Sequence, residues 1–329
     1  MYDRAWSSVT VLARGLVLDL ADRIVVATPF PKFFNFGEGG YALPEGEFEA
    51  FEKLDGSLII VFHHGGRWWA VTKGDFHATQ AAWALNVLTA NPAVAHLDTS
   101  KTWLFEAVGP QNRIVVPYGE PALVLLAAFD HQGVELAYGT VQEVAEQIGV
   151  RAAERHHFAR LADLVGYADG LPRTREGFVV RYRNGTRLKI KGAEYRRIHA
   201  LISRVTPLAI WEAMAAGDDL DSFRRDIPEE FWTDFDAIRN ALDDAYAASL
   251  ASGRAAAASV AHLSDKELGL SLHQVPADVR PHVFALRKAA GGPVPDKLRA
   301  VLLRGIRPTG NVLAGYKASY AVARLQDDV

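Results

Sequence analysis

The spacing of apolar residues changes once along this chain, and that change limits the fold more than any other feature. Up to about residue 190 the apolar positions come in short β-branched and aromatic runs; beyond Lys191 they recur every three or four residues. Residues 58–62 and 68–72 read as two strands joined by His63-His64-Gly65-Gly66-Arg67, with further strands at 103–108, 113–116 and 122–129. A helical interval at 141–148 and 158–167 precedes strands 177–182 and 188–191, between which Asn184-Gly185 gives a hairpin signal. Helices are then predicted at 194–205, 208–215, 220–225 and 231–251, and Ser264-Asp265-Lys266-Glu267 has the spacing of a capping box. The pattern predicts an α+β fold: an antiparallel-sheet domain over residues 1–200, then an all-helical domain over 201–329.

Composition removes several classes of function. The absence of cysteine excludes disulfides and thiolate metal sites. No apolar run approaches the roughly 20 residues of a membrane span. Met1-Tyr2-Asp3-Arg4-Ala5-Trp6 lacks the basic lead of a signal peptide, so a cytoplasmic protein without membrane contact is expected. A net charge of −3 is not that of a polycation, but its distribution is uneven. Residues 173–197 hold nine Lys/Arg against two Glu, whereas 212–244 is acidic, which predicts a basic functional surface in the first two-thirds.

Lys53-Leu54-Asp55-Gly56-Ser57 is the segment richest in chemistry. A lysine attacks phosphorus only as the neutral amine, so it needs surroundings that lower its ordinary pKa of about 10.4. Placed at the opening of strand 58–62 behind an Asp-Gly turn, Lys53 can be aimed from a rigid sheet into a pocket; the same segment also reads as a hairpin approach with a solvated lysine. Glu106 sits in the apolar run 103–108, where a buried carboxylate needs a partner, and Glu176 enters strand 177–182. Lys189 and Lys191 share one strand face, an arrangement that calls for an anion such as phosphate.

Taken in order, Lys53-Leu54-Asp55-Gly56-Ser57, Phe105-Glu106, Glu176-Gly177-Phe178-Val179 and Leu188-Lys189-Ile190-Lys191 resemble motifs I, III, IV and V of the covalent nucleotidyltransferases. Ala13-Arg14-Gly15-Leu16, Phe30-Pro31-Lys32-Phe33-Phe34-Asn35, Thr72-Lys73-Gly74-Asp75-Phe76, Asn112-Arg113-Ile114-Val115-Val116 and Tyr195 resemble the phage-type ATP-dependent RNA ligase branch. The resemblance covers about residues 10–197 and implies a ligase-type nucleotidyltransferase domain. It implies that Lys53 attacks the α-phosphate of ATP and carries AMP, and that Glu106 binds a ribose hydroxyl. Lys189 and Lys191 would hold the α-phosphate, Arg14 and Lys32 would engage the outer phosphates, and Lys73 would be a further essential basic residue. Asp55 and Gly56 would complete the nucleotide site, and Tyr195 would support substrate or phosphate contacts. Glu176 would act through a hydrated Mg²⁺ (or Mn²⁺), and adenine would lie against Val179 and a residue of 123–129. AMP would pass to an RNA 5′-phosphate and be displaced by a 3′-hydroxyl, with broken tRNA as an expected substrate and a separate end-healing enzyme as an expected partner. The cationic pocket is expected to lower the pKa of Lys53. The helical domain is expected to influence RNA choice. Rival readings are a DNA-joining or capping-type nucleotidyltransferase, and a catalytically silent RNA-binding protein of the same fold.

Other signals are weaker. There is no G-x-x-x-x-G-K-[ST] loop, and Gly37-Glu38-Gly39-Gly40 reads as a plain turn. His63-His64 and His156-His157 are sequence neighbours that cannot share a face, so no zinc site is expected. Arg196-Arg197 reads equally as an RNA-phosphate contact or a solvated helix start. Trp211, Phe223, Phe231, Trp232 and Phe235 are expected to form a helical core.

Overall fold

The computed structural model describes residues 6–38, 43–289 and 291–318. Residues 1–5 of the expected leaderless start and Gly39 and Gly40 of the expected turn lie outside the described residues. The chain forms two compact units, Met1–His199 and Ala200–Val329. Both helices and sheets are present, and no helix among the described residues is long and apolar enough to cross a membrane.

In chain order the first unit contains strands β1 (Val17–Asp19), β2 (Ile24–Ala27), β3 (Phe34–Asn35), β4 (Phe48–Lys53), β5 (Ser57–His64) and β6 (Arg67–Val71). Helix α1 (Thr79–Ala90), β7 (Thr102–Val108), β8 (Ala122–Phe129), α2 (Tyr138–Gln147), β9 (Arg151–Ala152) and β10 (Arg155–His156) follow. The unit closes with α3 (Leu161–Asp169), β11 (Gly177–Tyr182), β12 (Arg187–Lys191) and the start of α4 (Ala193–Ile202). Beside the β1–β2 hairpin there are two five-stranded sheets, ordered β10-β4-β11-β12-β3 and β6-β5-β7-β8-β9. Pairing is antiparallel throughout except where the two-residue strands β3 and β9 add in parallel at the edges.

Strand alternation decides which side chains can meet a ligand. In the first sheet Ala50, Phe178, Val180, Leu188 and Ile190 point to one face and pack against Leu164 and Ala168 of α3. The opposite face therefore carries Lys53 and Phe51 of β4, Val179 and Arg181 of β11, and Arg187, Lys189 and Lys191 of β12. In the second sheet Ile59, Val61, Trp103, Phe105 and Leu125 pack against α1 and α2. Ile60, Phe62, Leu104 and Ala127 form the inward core with Val17 and Phe129.

Two local expectations are corrected. Lys53 does not open strand 58–62; it is the last paired residue of β4, opposite Gly177, while Ser57 starts β5 in the other sheet. The Asp-Gly bend thus crosses from sheet to sheet. Residues 113–116 are not a strand but an irregular buried turn, because two of their amides bind a side chain instead of a neighbouring strand. Helix α1 and strand β4 had no counterpart in the reading of the sequence: Phe48-Glu49-Ala50-Phe51-Glu52-Lys53 repeats its aromatics every three residues rather than alternating.

The described part of the second unit contains α5 (Pro207–Ala216), α6 (Leu220–Asp226), α7 (Trp232–Ser259), α8 (Asp265–Leu270), α9 (Val283–Ala289) and α10 (Asp296–Gly305). Pro at the first helical position, a Thr206 cap and Gly217 in the left-handed conformation delimit α5. The Ser264–Glu267 capping box starts α8. Phe223, Phe231 and Phe235 are buried, and the indole N–H groups of Trp211 and Trp232 donate to backbone carbonyls.

Candidate active site

The bend between β4 and β5 is held in place by tertiary contacts. Gly56 lies so close to β7 that a Cβ there would run into the carbonyl oxygen of Ala107. Gly177, at φ 145°, meets β12 in the same way, so the segment leading from Glu176 lies tight against Ile190 and Lys191. These approaches bring the ends of three strands together.

At that junction Lys53 Nζ lies 2.7 Å from Glu176 Oε2, and Lys191 Nζ lies 3.3 Å from Glu176 Oε1. The Glu176 side chain is only 2% exposed, against 19% and 22% for the two lysines. Oε2 is buried and receives no hydrogen bond of good geometry, despite the close ammonium. Glu106 is buried on β7 opposite Leu58 and Val124, within electrostatic reach of Lys53. Lys189 Nζ stands 5.0 Å from the Phe33 ring centroid, and Lys32 Nζ 5.1 Å from that of Phe34. Arg14 and Lys32 add their fields to Lys189, and Gly15 packs against the Cα of Lys73. Val179 is half-buried in the middle of the same sheet face, and Val124 of β8 is buried with Leu54 and Val108. One junction thus brings together Lys53, Glu106, Glu176, Lys189 and Lys191, with Arg14 and Lys32 close by.

The electrostatics correct one expectation. Burial works to lower the pKa of Lys53, but Glu176, Glu106 and Asp55 outweigh it, and the ammonium is held above its usual range. Lys189 is the amine whose proton is weakened: burial first, then Lys53, Lys32, Lys191 and Arg14, bring it down to about 7.

Asp55 and Tyr195, both expected at the nucleotide, bond to each other, and the Tyr195 ring centroid lies 5.1 Å from Lys191 Nζ. Asp55 is 1% exposed; its Oδ2 accepts from the amides of Val115 and Val116 at 2.7 and 2.8 Å, and its Oδ1 accepts from the Tyr195 hydroxyl at 2.8 Å. Burial pushes the Asp55 carboxyl up, as does Glu176, while these three donors pull it back. The side chains are occupied with each other, inside the protein. Asn112 was quoted only as part of a motif; it accepts from Ser57 Oγ at 2.7 Å and donates to the Ala107 carbonyl. Tyr118 was missed, although its hydroxyl accepts from the Asp55 amide at 3.1 Å. Nothing in the spacing of 113–118 marks these contacts; the only available signal was that a buried aspartate must find donors.

Arg196 donates to the Lys191 carbonyl and Asp169, and Arg197 pairs with Glu194, as at a solvated helix start. His64 pairs with Asp19, and no cluster of three metal-binding side chains occurs among the described residues.

A family model described as RNA ligase matches residues 12–195, more than half of the chain. The chain is 33% identical over 131 residues to RNA ligase 1 of Bacteriophage TS2126, covering 35% of this chain and 33% of that one. It is 27% identical over 157 residues to an RNA ligase of Rhodothermus phage RM378, covering 34% and 36%. The chain therefore spans about a third of the length of these relatives. A solved structure of Naegleria gruberi RNA ligase with PPi aligns over 45% of this chain and 50% of that chain, at 17% identity and a TM-score of 0.38. On the match over residues 12–195, in which Lys53, Glu106, Glu176, Lys189 and Lys191 all fall, the chain belongs to the phage-type RNA ligase family.

Proposed function

We propose that the chain is an ATP-dependent RNA ligase that forms a lysyl–AMP on Lys53, transfers AMP to an RNA 5′-phosphate and seals it to a 3′-hydroxyl. The observation that carries this reading is the sharing of one buried carboxylate, Glu176, by Lys53 and Lys191, with Lys189 crowded by these two lysines and by Arg14 and Lys32. Cations that lower one another's proton affinity are stabilised by a polyanion, and a nucleoside triphosphate supplies one. Lys189 and Lys191 hold the α-phosphate in this reading, with Arg14 and Lys32 toward the outer phosphates and Lys73 as a further essential basic residue. Glu106 takes a ribose hydroxyl, and Val179 with an inward residue of β8 flanks adenine.

Lys53 becomes a nucleophile only when its proton leaves, and in the ligand-free pairing Glu176 opposes that loss. Glu176 fits a role beside a hydrated divalent cation, since its buried Oε2 lacks a well-directed donor and Mg²⁺ characteristically uses one carboxylate, several waters and substrate phosphates. Mg²⁺ or Mn²⁺ there would neutralise Glu176 and stabilise charge on the phosphate oxygens. Residues 1–200 form the adenylyltransferase domain in this reading, and the helical residues 201–329 influence RNA choice. Broken tRNA is the proposed substrate and the cytoplasm the proposed location. A separate end-healing enzyme is the proposed partner, because the reaction consumes only 5′-phosphate and 3′-hydroxyl ends.

The test is incubation with α-labelled ATP or GTP, a denaturing gel, and ligation of nicked, single-stranded and anticodon-broken RNAs beside matched DNAs. Label from ATP and sealing of RNA are expected. Label from GTP alone, or none with RNA binding intact, overturns the reading.

A further inference from the structure

We propose that Tyr118 and Tyr195 are a pair of positioning residues that fix Asp55, one at its backbone and one at its carboxylate, and thereby set the direction in which Lys53 leaves the sheet. The proposal rests on Lys53 being the nucleophile. Lys53 is the last residue of β4 in a ladder and Ser57 the first of β5, in the other sheet. Residues 54–56 have no ladder of their own, so their path depends on tertiary bonds. Four of these converge on Asp55. Its amide donates to the Tyr118 hydroxyl at 3.1 Å, its carboxylate accepts the Val115 and Val116 amides, and it accepts the Tyr195 hydroxyl at 2.8 Å. Asp55 and Tyr195 are 1% and 2% exposed, so solvent does not replace either bond if it is lost. Tyr118 packs with Leu54, Val108 and Val124. Tyr195 reaches Asp55 from α4, 140 residues along the chain. A small displacement of Asp55 moves Lys53, its neighbour but one, away from in-line attack.

Neither tyrosine needs to touch the nucleotide for this role, and that makes it separable from the substrate contact expected of Tyr195. Tyr→Phe keeps the ring packing and removes only the hydroxyl. Single-turnover auto-adenylylation of the full chain with ATP and Mg²⁺ is to be measured for Tyr118→Phe, Tyr195→Phe, Asp55→Asn and Asp55→Asn/Tyr195→Phe. Each Phe variant is expected to react about tenfold more slowly at saturating ATP with KM nearly unchanged, as for loss of alignment rather than of binding. Tyr195→Phe is expected to add little in the Asp55→Asn background, because Asp55→Asn already removes the charged acceptor of the Tyr195 hydroxyl. A raised KM at unchanged maximal rate, full additivity with Asp55→Asn, or rates equal to wild type for both tyrosine variants would overturn the proposal. Absence of lysyl–AMP in the wild type would instead defeat the ligase reading itself.

Discussion

The inward face of the β4–β11–β12 sheet is charged at both ends, and the two ends use their charge differently. At one end Arg155 pairs with Glu49, Arg181 with Glu49 and Glu135, and Arg187 with Glu135. Arg187 also lies 4.7 Å above the Phe30 ring, whose own neighbour is Phe129 of the other sheet. This end is a closed set of pairs that ties sheet to sheet. At the other end, beyond Val179, Lys53 and Lys191 share Glu176, and Lys189 is crowded by Lys53, Lys32, Lys191 and Arg14. The difference shows how to separate a structural network from a site on one surface. A network that satisfies itself contributes to the fold, whereas cations that depress one another's proton affinity are stabilised by an incoming anion.

Substitutions at the two ends should therefore fail in different ways. Lys53→Ala is expected to abolish adenylylation while sealing of pre-adenylylated RNA persists; an adduct retained in that variant, seen by intact mass, would erase the distinction. Lys189→Ala should slow adenylylation by about 10²- to 10³-fold, the scale for removing one charge-stabilising group, with a thermal midpoint close to that of wild type. Glu135→Gln should do the reverse. Leaving Arg187 buried without its carboxylate is expected to cost about 3 kcal/mol in denaturant unfolding, while adenylylation of the folded protein in the cold changes little. A Glu135→Gln protein that is stable but inactive would assign that end to the site.

The Lys189 shift gives a pH prediction. Its folded pKa, about 7, lies below the ordinary 10.5, so the folded chain binds fewer protons than the unfolded chain between those values. The penalty is full below pH about 7 and fades toward 10.5, so this residue makes stability rise with pH across that window. Bound phosphate favours the ammonium, so ATP binding near pH 8 should take up a proton, measurable by calorimetry in buffers of different ionisation heat. Lys189→Arg should remove that uptake. The smallest expected effect is that of Val179→Ala: an increase of about fivefold in KM for ATP, from roughly 1 kcal/mol of lost apolar contact.

Legibility in the sequence followed the range of the interactions. The change from strand runs to helical spacing, the Asn184-Gly185 hairpin and the Ser264 capping box are local, and each has its counterpart in the structure. Lys189 and Lys191 sharing a face followed from strand alternation alone. The sheet-to-sheet crossing at Asp55 was not legible, because Lys53-Leu54-Asp55-Gly56-Ser57 looks the same whether Lys53 ends one strand or starts the next. Residues 113–116 have strand composition, yet their amides were claimed by Asp55, which lies 60 residues earlier for Val115. The Glu135–Arg187 pair is separated by 52 residues and left no pattern at all. The raised pKa of Lys53 was missed for a related reason: motif order groups the cations, but only the fold shows how near Glu176 comes.

The most direct measurement is mass-spectrometric mapping of the adduct after incubation with ATP and Mg²⁺. AMP joined through a phosphoramidate to Lys53, and lost with Lys53→Ala, is the predicted result. AMP on another residue, or no adduct from a folded chain that still binds ATP, would contradict the account.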